Sequence, residues 1–294
     1  GATVRPYSSR ITEYATRLIR WSLLAFNVLE SRENPIFFNY FQFRRPRWLS
    51  TTVCRQLCFV DRRAALTLRG PSKSVIVYYH GGGWVVGSID DYLTVGRHLA
   101  ARAQSVVVLA GYRLAPEHRY PTAPNDCWDA LKWVDSNIEH LAGSPVPLIV
   151  AGDSAGGNLA AVVAQRAKQE GSPKLSLQVL VYPATDGTMD TPSHRDPANQ
   201  LMLSHESMAW FWDHYAPDKE QRLAPGSSPL HCDDLSGVAP ALVLTAEYDV
   251  LRDEGEAYAD KLQDAGVAVV RKRFERQIHG FFTLHDVLPG ATRA

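Results

Sequence analysis

A run of small residues around one serine, GDSAGG at residues 152–157, is the feature of the sequence that most directly suggests chemistry. It follows a short apolar run, 147–151, and precedes a helix-like stretch that begins at Ala155. A turn this tight from strand to helix strains Ser154 and pushes its hydroxyl out above the sheet. The positive end of the helix favours developing negative charge at the same point. The pattern predicts a nucleophilic serine, with an ordinary glycine-rich turn as the alternative.

Three consecutive glycines form a second motif, HGGGW at residues 80–84, at the end of the apolar run 74–79. Glycines leave backbone N–H groups unshielded, and such groups pointing into a cavity can form an oxyanion hole. A phosphate-binding loop is the competing interpretation, but the motif matches neither GxxxxGK[ST] nor GxGxxG. His80 could serve as a base, although a residue that opens so tight a loop is more typical of one that holds the loop by hydrogen bonds.

A serine hydroxyl needs a base to take its proton, and that base needs an acid to orient it. The chain has ten histidines. His279 follows the last predicted strand, 267–274, in a loop, which suits a mobile imidazole. His285 lies six residues later and is the close competitor. We favour His279 as the base and leave His285 open as the alternative.

Candidates for the orienting acid follow the apolar run 241–245. Glu247 and Asp249 both lie just beyond this run, whereas Asp253 begins the next predicted helix. A carboxylate in the first turn of a helix stabilises the helix dipole, which explains Asp253 without catalysis. Asp249 lies in the loop proper and precedes His279 by 30 residues. Choosing it gives the order nucleophile, acid, histidine, as expected of an α/β-hydrolase.

The elements that must position these residues alternate regularly from residue 75 onward. Short, continuous apolar runs predict strands that are covered on both faces. Five such strands are predicted at 74–79, 105–110, 147–151, 177–181 and 241–245, and a sixth strand is predicted at 267–274. Helix-like stretches lie between them at about 123–138, 155–169 and 253–265. Strand alternating with helix predicts an α/β fold, with a mostly parallel central sheet and helices on both faces.

One stretch, about residues 186–228, interrupts this alternation and is rich in Pro, Asp, His and Ser. It contains one amphipathic helix candidate, 204–215, with Ser204 as its N-cap. Three successive aromatic residues at 210–212 are too much apolar surface to leave in water. We interpret the stretch as a cap insertion over the carboxyl ends of the strands, where ligands bind in such sheets.

The first 63 residues carry an uneven share of the charge. They hold 11 arginines against four acidic residues, a net charge of +7 in a chain whose total is zero. The favoured interpretation is a helical cap with solvated arginines, and a weak lipid-surface contact through residues 1–63 is the alternative. We therefore predict an N-terminal cap segment over residues 1–48 and a catalytic domain over residues 49–294.

The composition excludes several other classes of protein. Of the 294 residues, 45% are hydrophobic and 21% are charged, which is ordinary for a soluble globular protein and excludes wholesale disorder. Zero net charge gives no reason to expect a nucleic acid partner. No apolar run is long enough to predict a transmembrane helix. Four cysteines without CxxC spacing favour reduced thiols and a cytoplasmic location.

Taken together, five motifs resemble the hormone-sensitive-lipase-like family of esterases and its arylacetamide-deacetylase-like relatives. They are HGGGW at 80–84, YRLAPEHRYP at 112–121, GDSAGG at 152–157, EYDVLRDEG at 247–255 and HGF at 279–281. The resemblance implies an α/β-hydrolase fold with a helical cap. It also implies that the N–H groups of Gly82, Gly83 and Ala155 form the oxyanion hole, and that Tyr112 to Glu117 brace the site without reacting.

The residues and the resemblance together predict a serine carboxylesterase acting on short- to medium-chain esters through an acyl-enzyme. Ser154, His279 and Asp249 would form its triad, with a small acyl ester as substrate and with no cofactor or metal. The same residues would also serve an amide or formamide hydrolase. A non-catalytic ligand receptor, as the gibberellin receptors resembling this family are, is less favoured because such proteins tend to lose a triad member. A homodimer is a further hypothesis.

Overall fold

The computed structural model describes residues 57–59 and 71–284. The predicted N-terminal cap segment, residues 1–48, and the alternative base His285 lie outside the described residues. The side chains of Cys54 and Cys58 also lie outside the described residues. Cys127 and Cys232 are buried free thiols.

Seven strands form one sheet in the described part of the chain. They are β1 (Leu57–Phe59), β2 (Val75–Tyr79), β3 (Val106–Ala110), β4 (Leu148–Asp153), β5 (Leu177–Val181), β6 (Ala241–Tyr248) and β7 (Val269–Ile278). The strand order is β1-β3-β2-β4-β5-β6-β7. Strands β2 to β7 pair in parallel, and β1 pairs antiparallel with β3. The predicted mostly parallel α/β sheet is therefore confirmed.

Helices connect the parallel strands, as such pairing requires. They are α1 (Leu93–Ala103), α2 (Thr122–Asp135), α3 (Ile138–Ala142), α4 (Ala155–Glu170), α5 (Pro192–Arg195), α6 (His205–Tyr215), α7 (Lys219–Leu223) and α8 (Arg252–Asp264). Helix α1 was not predicted from the sequence, and it buries only three residues, Val95, Gly96 and Ala100. The predicted helix at about 123–138 corresponds to α2, which ends at Asp135, and the separate helix α3 begins at Ile138.

Side chains on both faces of β2 to β6 are mostly buried, as their continuous apolar runs predict, whereas most residues of the edge strand β7 are exposed. On β2, Val75, Val77 and Tyr79 belong to the large core beneath α2, α4 and α8. The alternate residues Ile76 and Tyr78 belong to a second core that also contains buried residues of α1. Successive side chains of a strand point to opposite faces, so one short apolar strand supplies both layers.

The insertion contains three short helices, α5, α6 and α7. The Ser204 hydroxyl accepts a hydrogen bond from the Ser207 N–H and caps α6, as predicted. Aromatic residues attach α6 to the loop that follows β2. Trp84 stacks on Tyr215 with ring centroids 4.3 Å apart, and Trp212 lies 4.5 Å from Trp84. All three side chains are fully buried, so the insertion is packed onto this loop.

Candidate active site

Ser154 occupies the turn between β4 and α4 in a strained conformation. Its φ of 57° and ψ of −120° lie in a region that a residue with a side chain rarely adopts. Close backbone contacts require glycine at two positions next to this turn. A Cβ on Gly152 would lie 2.3 Å from the Gly156 carbonyl oxygen, and one on Gly156 would lie 2.0 Å from the Tyr79 carbonyl oxygen. Helix α4 therefore begins directly against the end of β2.

His279 lies within hydrogen-bond distance of both other predicted triad residues. Its Nε2 is 3.0 Å from Ser154 Oγ, and its Nδ1 is 2.8 Å from Asp249 Oδ2. The Nδ1–H group donates to the carboxylate, which leaves Nε2 to accept the serine proton. The structure thus brings together three residues from the ends of β4, β6 and β7, in the geometry of a nucleophile, a base and an orienting acid.

The loop after β6 explains why Asp249 faces the histidine. Asp249 is fully buried, and its Oδ1 accepts the Leu251 N–H at 2.9 Å. The other acid candidates have different partners. Glu247 accepts the backbone N–H of Arg276 on β7, and Asp253 accepts the Ser193 N–H from the insertion.

The predicted oxyanion loop has backbone conformations that suit glycine. Gly82 and Gly83 have φ angles of +109° and +58°. A Cβ on Gly82 would lie 2.1 Å from the Val86 carbonyl oxygen, and one on Gly83 would lie 2.2 Å from the Phe211 ring. Ala155 is the first residue of α4, where backbone N–H groups have no partner within the helix. A Cβ on Gly156 would lie 2.6 Å from the His80 carbonyl oxygen, so the first turn of α4 packs against the start of this loop.

His80 and Tyr112 hold the oxyanion loop from behind. The His80 Nδ1–H donates to the Gly81 carbonyl oxygen at 2.7 Å, and the Tyr112 hydroxyl donates to the His80 carbonyl oxygen at 2.8 Å. The two rings stack with centroids 4.3 Å apart. Burial lowers the pKa of His80, which favours a neutral imidazole. These contacts fit the bracing role that the sequence analysis preferred for both residues.

Nothing in the sequence pattern assigns a role to Asp153, although it lies beside the nucleophile. Its buried carboxylate accepts hydrogen bonds from the hydroxyls of Tyr78 and Tyr92 and from the Gly81 N–H. Burial raises its pKa to about 6. The one sequence signal for Asp153 is its type, because it is an acidic residue in a turn of otherwise small residues.

Apolar side chains flank the site on two sides. Phe211 of α6 lies against Gly83 of the oxyanion loop. Met202, which is half exposed, lies beside Gly280 next to the histidine. An acyl or alcohol group bound near Ser154 would therefore meet apolar surface contributed by the insertion.

The described residues include no group of three or more His, Cys, Asp or Glu placed to hold a metal ion. Within the same part of the chain, no helix has the length and apolar character that crossing a membrane requires.

Comparison with known proteins identifies the family. A family model described as alpha/beta hydrolase fold matches residues 76–283. The carboxylesterase NlhH of Mycobacterium tuberculosis is 42% identical over 75% of this chain and 70% of its own length. The ethyl acetate hydrolase of Pseudomonas putida is 40% identical over 74% of this chain and 69% of its own length.

Solved structures agree with these relatives. The crystallised esterase of Pyrobaculum calidifontis is 44% identical and superposes with a TM-score of 0.72, covering 76% of this chain and 74% of that one. A thermostable esterase from Pseudomonas putida is 40% identical, with a TM-score of 0.73 over 77% of this chain and 72% of that one. The chain therefore belongs to the hormone-sensitive-lipase-like esterases of the α/β-hydrolase fold.

Proposed function

We propose that this protein is a serine carboxylesterase that hydrolyses small carboxylic esters through an acyl-enzyme. The hydrogen-bonded series Ser154, His279 and Asp249, with distances of 3.0 and 2.8 Å, is the observation that carries the proposal. Relatives named as carboxylesterases and esterases support it.

Each step of the reaction can be given to a group of this site. His279 Nε2 takes the proton from Ser154 Oγ as the oxygen attacks the ester carbonyl carbon, and Asp249 stabilises the imidazolium that forms. The tetrahedral intermediate expels the alcohol, to which His279 returns the proton. Water then attacks the acyl-enzyme, again with His279 as base, and releases the carboxylic acid and the free serine.

The oxyanion of each tetrahedral intermediate would be bound by the N–H groups of Gly82, Gly83 and Ala155. Each such donor lowers the barrier by about 3–4 kcal/mol, since it acts where charge develops. The strained turn at Ser154 supports this assignment, because Ala155 directly follows the nucleophile as the first residue of α4.

The nucleophile is tested by replacing Ser154 with Ala and measuring p-nitrophenyl butyrate hydrolysis. We expect kcat to fall by about 10⁵ to 10⁶ while the protein stays folded, since removal of a triad serine leaves only binding and the oxyanion hole. Ser136→Ala, at an exposed helix end, is the matched control and should retain parental turnover. A loss of less than tenfold in Ser154→Ala would show that another group attacks the ester.

The acyl preference follows from the apolar residues that the insertion places at the site. Phe211 lies against Gly83 of the oxyanion loop, so its ring would occupy space beside an ester carbonyl bound there. We expect turnover of p-nitrophenyl esters from acetate to laurate to peak at short or medium chains. Faster hydrolysis of laurate than of butyrate would contradict this expectation. An anilide series run beside it tests the amide or formamide alternative, which the same residues could serve.

The remaining sequence-based hypotheses belong to the same proposal. We propose a cap segment over residues 1–48, a catalytic domain over residues 49–294 with a cap insertion at about 186–228, and a cytoplasmic location. A homodimer and a weak lipid contact through residues 1–63 are tested by sedimentation of the purified protein, alone and with anionic vesicles.

A further inference from the structure

A buried carboxylate lies behind the oxyanion loop and takes no part in the triad. Asp153 Oδ1 accepts the Tyr78 hydroxyl at 2.9 Å and the Gly81 N–H at 3.1 Å. Its Oδ2 accepts the Tyr92 hydroxyl at 2.9 Å. Asp153 is the residue before the nucleophile, and Gly81 is the residue before the two glycines of the oxyanion loop. The carboxylate therefore links the nucleophile turn to the loop.

The Gly81 N–H group is the point at which this network meets the loop. It donates to Tyr92 Oη at 3.0 Å as well as to Asp153 Oδ1, so two acceptors fix one donor. The fit is tight, because a Cβ on Gly81 would lie 2.6 Å from Asp153 Oδ2 and 2.9 Å from Tyr92 Oη. A shift of either acceptor would therefore change the direction of the His80–Gly81 peptide, which precedes Gly82 and Gly83 in the loop.

We propose that Asp153 is a positioning residue for the oxyanion loop, acting through Tyr92 and the Gly81 N–H group. The proposal rests on the proposed function, since it concerns how the loop stabilises the oxyanion of ester hydrolysis. Asp153 does not touch the reacting atoms. Its carboxylate orients the loop so that the following N–H groups point at the developing charge.

The network requires Asp153 to be ionised, because all three of its hydrogen bonds are donated to it. The titratable groups that face it are Tyr78 on β2, Tyr92 in the short helix Asp90–Tyr92, Tyr112 after β3, Tyr182 after β5 and His279 after β7. Burial raises the pKa of Asp153 to about 6, and the tyrosine hydroxyls and His279 oppose that rise. Protonation turns one oxygen into a donor, so at least one of the three hydrogen bonds must reverse its direction or break below about pH 6.

The first test is the turnover of two variants with an ester substrate. Asp153→Asn keeps the shape but replaces one acceptor by an NH₂ donor, and Tyr92→Phe removes the second acceptor of the Gly81 N–H. We expect each to lower kcat by about tenfold to a hundredfold with little change in KM, because a misplaced oxyanion donor weakens only transition-state binding. The double variant should lower kcat by less than the product of the two single-variant factors, because both substitutions act on one N–H group.

The second test is the pH dependence of kcat/KM, which a purely structural role would not alter. Protonation of the base His279 alone gives the acid limb of the logarithmic plot a slope of about one. A second inactivating protonation at Asp153 should bring the slope towards about two in the parent. In Asp153→Asn the slope should return to about one.

Controls separate this proposal from the proposed function. Asp90→Asn removes the same charge from an exposed position of the neighbouring helix and should keep parental kcat and pH profile. Circular dichroism and thermal unfolding check the fold, and Tyr92→Phe keeps the test open if Asp153→Asn does not fold. Parental kcat in Tyr92→Phe, or an acid limb of slope about one in the parent, would overturn the positioning role. Turnover that survives in Ser154→Ala would instead contradict the proposed function.

Discussion

At the scale of single residues, glycines near Ser154 are fixed by the approach of backbone atoms. Gly156 lies in the first turn of α4, where its Cα faces the carbonyl oxygens of Tyr79 and His80 at the end of β2. No side chain fits there, since a Cβ would lie 2.0 Å from the nearer oxygen. Helix α4 can therefore begin at the oxyanion loop only if this residue is glycine.

The change Gly156→Ala should accordingly lower the free energy of unfolding by about 1–3 kcal/mol through overpacking. It should also lower kcat by about a hundredfold, since a displacement of about 1 Å at the nucleophile is enough for that loss. Gly255→Ala is the matched control in the first turn of α8, where the new methyl would make an ordinary contact of 3.4 Å with Pro183. Urea unfolding and ester turnover of both variants check the contrast, and equal effects would contradict it.

At the scale of elements, α6 joins the insertion to the oxyanion loop by one of its faces. Trp212 and Tyr215 pack on Trp84, the residue that ends the HGGGW motif. Phe211, on the same helix, lies against Gly83. The other face carries Trp210, which is 49% exposed. One short helix thus holds the loop and supplies apolar surface to the site.

Replacement of Trp212 by Ala should lower the free energy of unfolding by about 3–5 kcal/mol, because a fully buried aromatic ring leaves a cavity. Trp210→Ala, two residues earlier on the exposed face, should change it by about 0.5 kcal/mol or less. Chemical denaturation of both variants measures the difference. A loss in Trp210→Ala as large as that in Trp212→Ala would show that the helix packs by another face.

At the scale of the whole molecule, the free energy of unfolding contains the cost of burying the Asp153 charge. Burial raises the pKa of Asp153 from 3.8 to about 6 in the folded protein. The folded state therefore binds this proton more tightly than the unfolded chain does. The resulting stability is fully present below about pH 4 and is lost as the pH rises through about 6.

We therefore expect the unfolding free energy of the parent, relative to Asp153→Asn, to fall by about 2 kcal/mol between about pH 4 and about pH 7. The asparagine does not titrate, so the difference between the two proteins isolates this group from the other carboxylates. Urea midpoints of both proteins across this pH range measure it. A difference that is independent of pH would mean that Asp153 has an ordinary pKa.

The sequence by itself determined the features whose cause is local. The continuous apolar runs predicted β2 to β6, because a strand covered on both faces must be apolar at nearly every position. The sequence also predicted the strand-to-helix turn around Ser154 and the glycine loop, because each depends on residues that are adjacent in the chain. Helix α1 was not predicted, although it is as amphipathic as the predicted helices, and only three of its residues are buried.

Only the tertiary structure decided which distant groups meet. Glu247 and Asp249 are equivalent by type and nearly so by position, but the first faces the backbone of β7 and the second faces His279. Asp153 has partners 61 to 75 residues away in the chain, on β2 and before α1. Such contacts depend on strand order and on the path of each loop, and no pattern of neighbouring residues encodes them. The reacting residues could therefore be predicted from the sequence, whereas the contacts that support them depend on the packing of the fold.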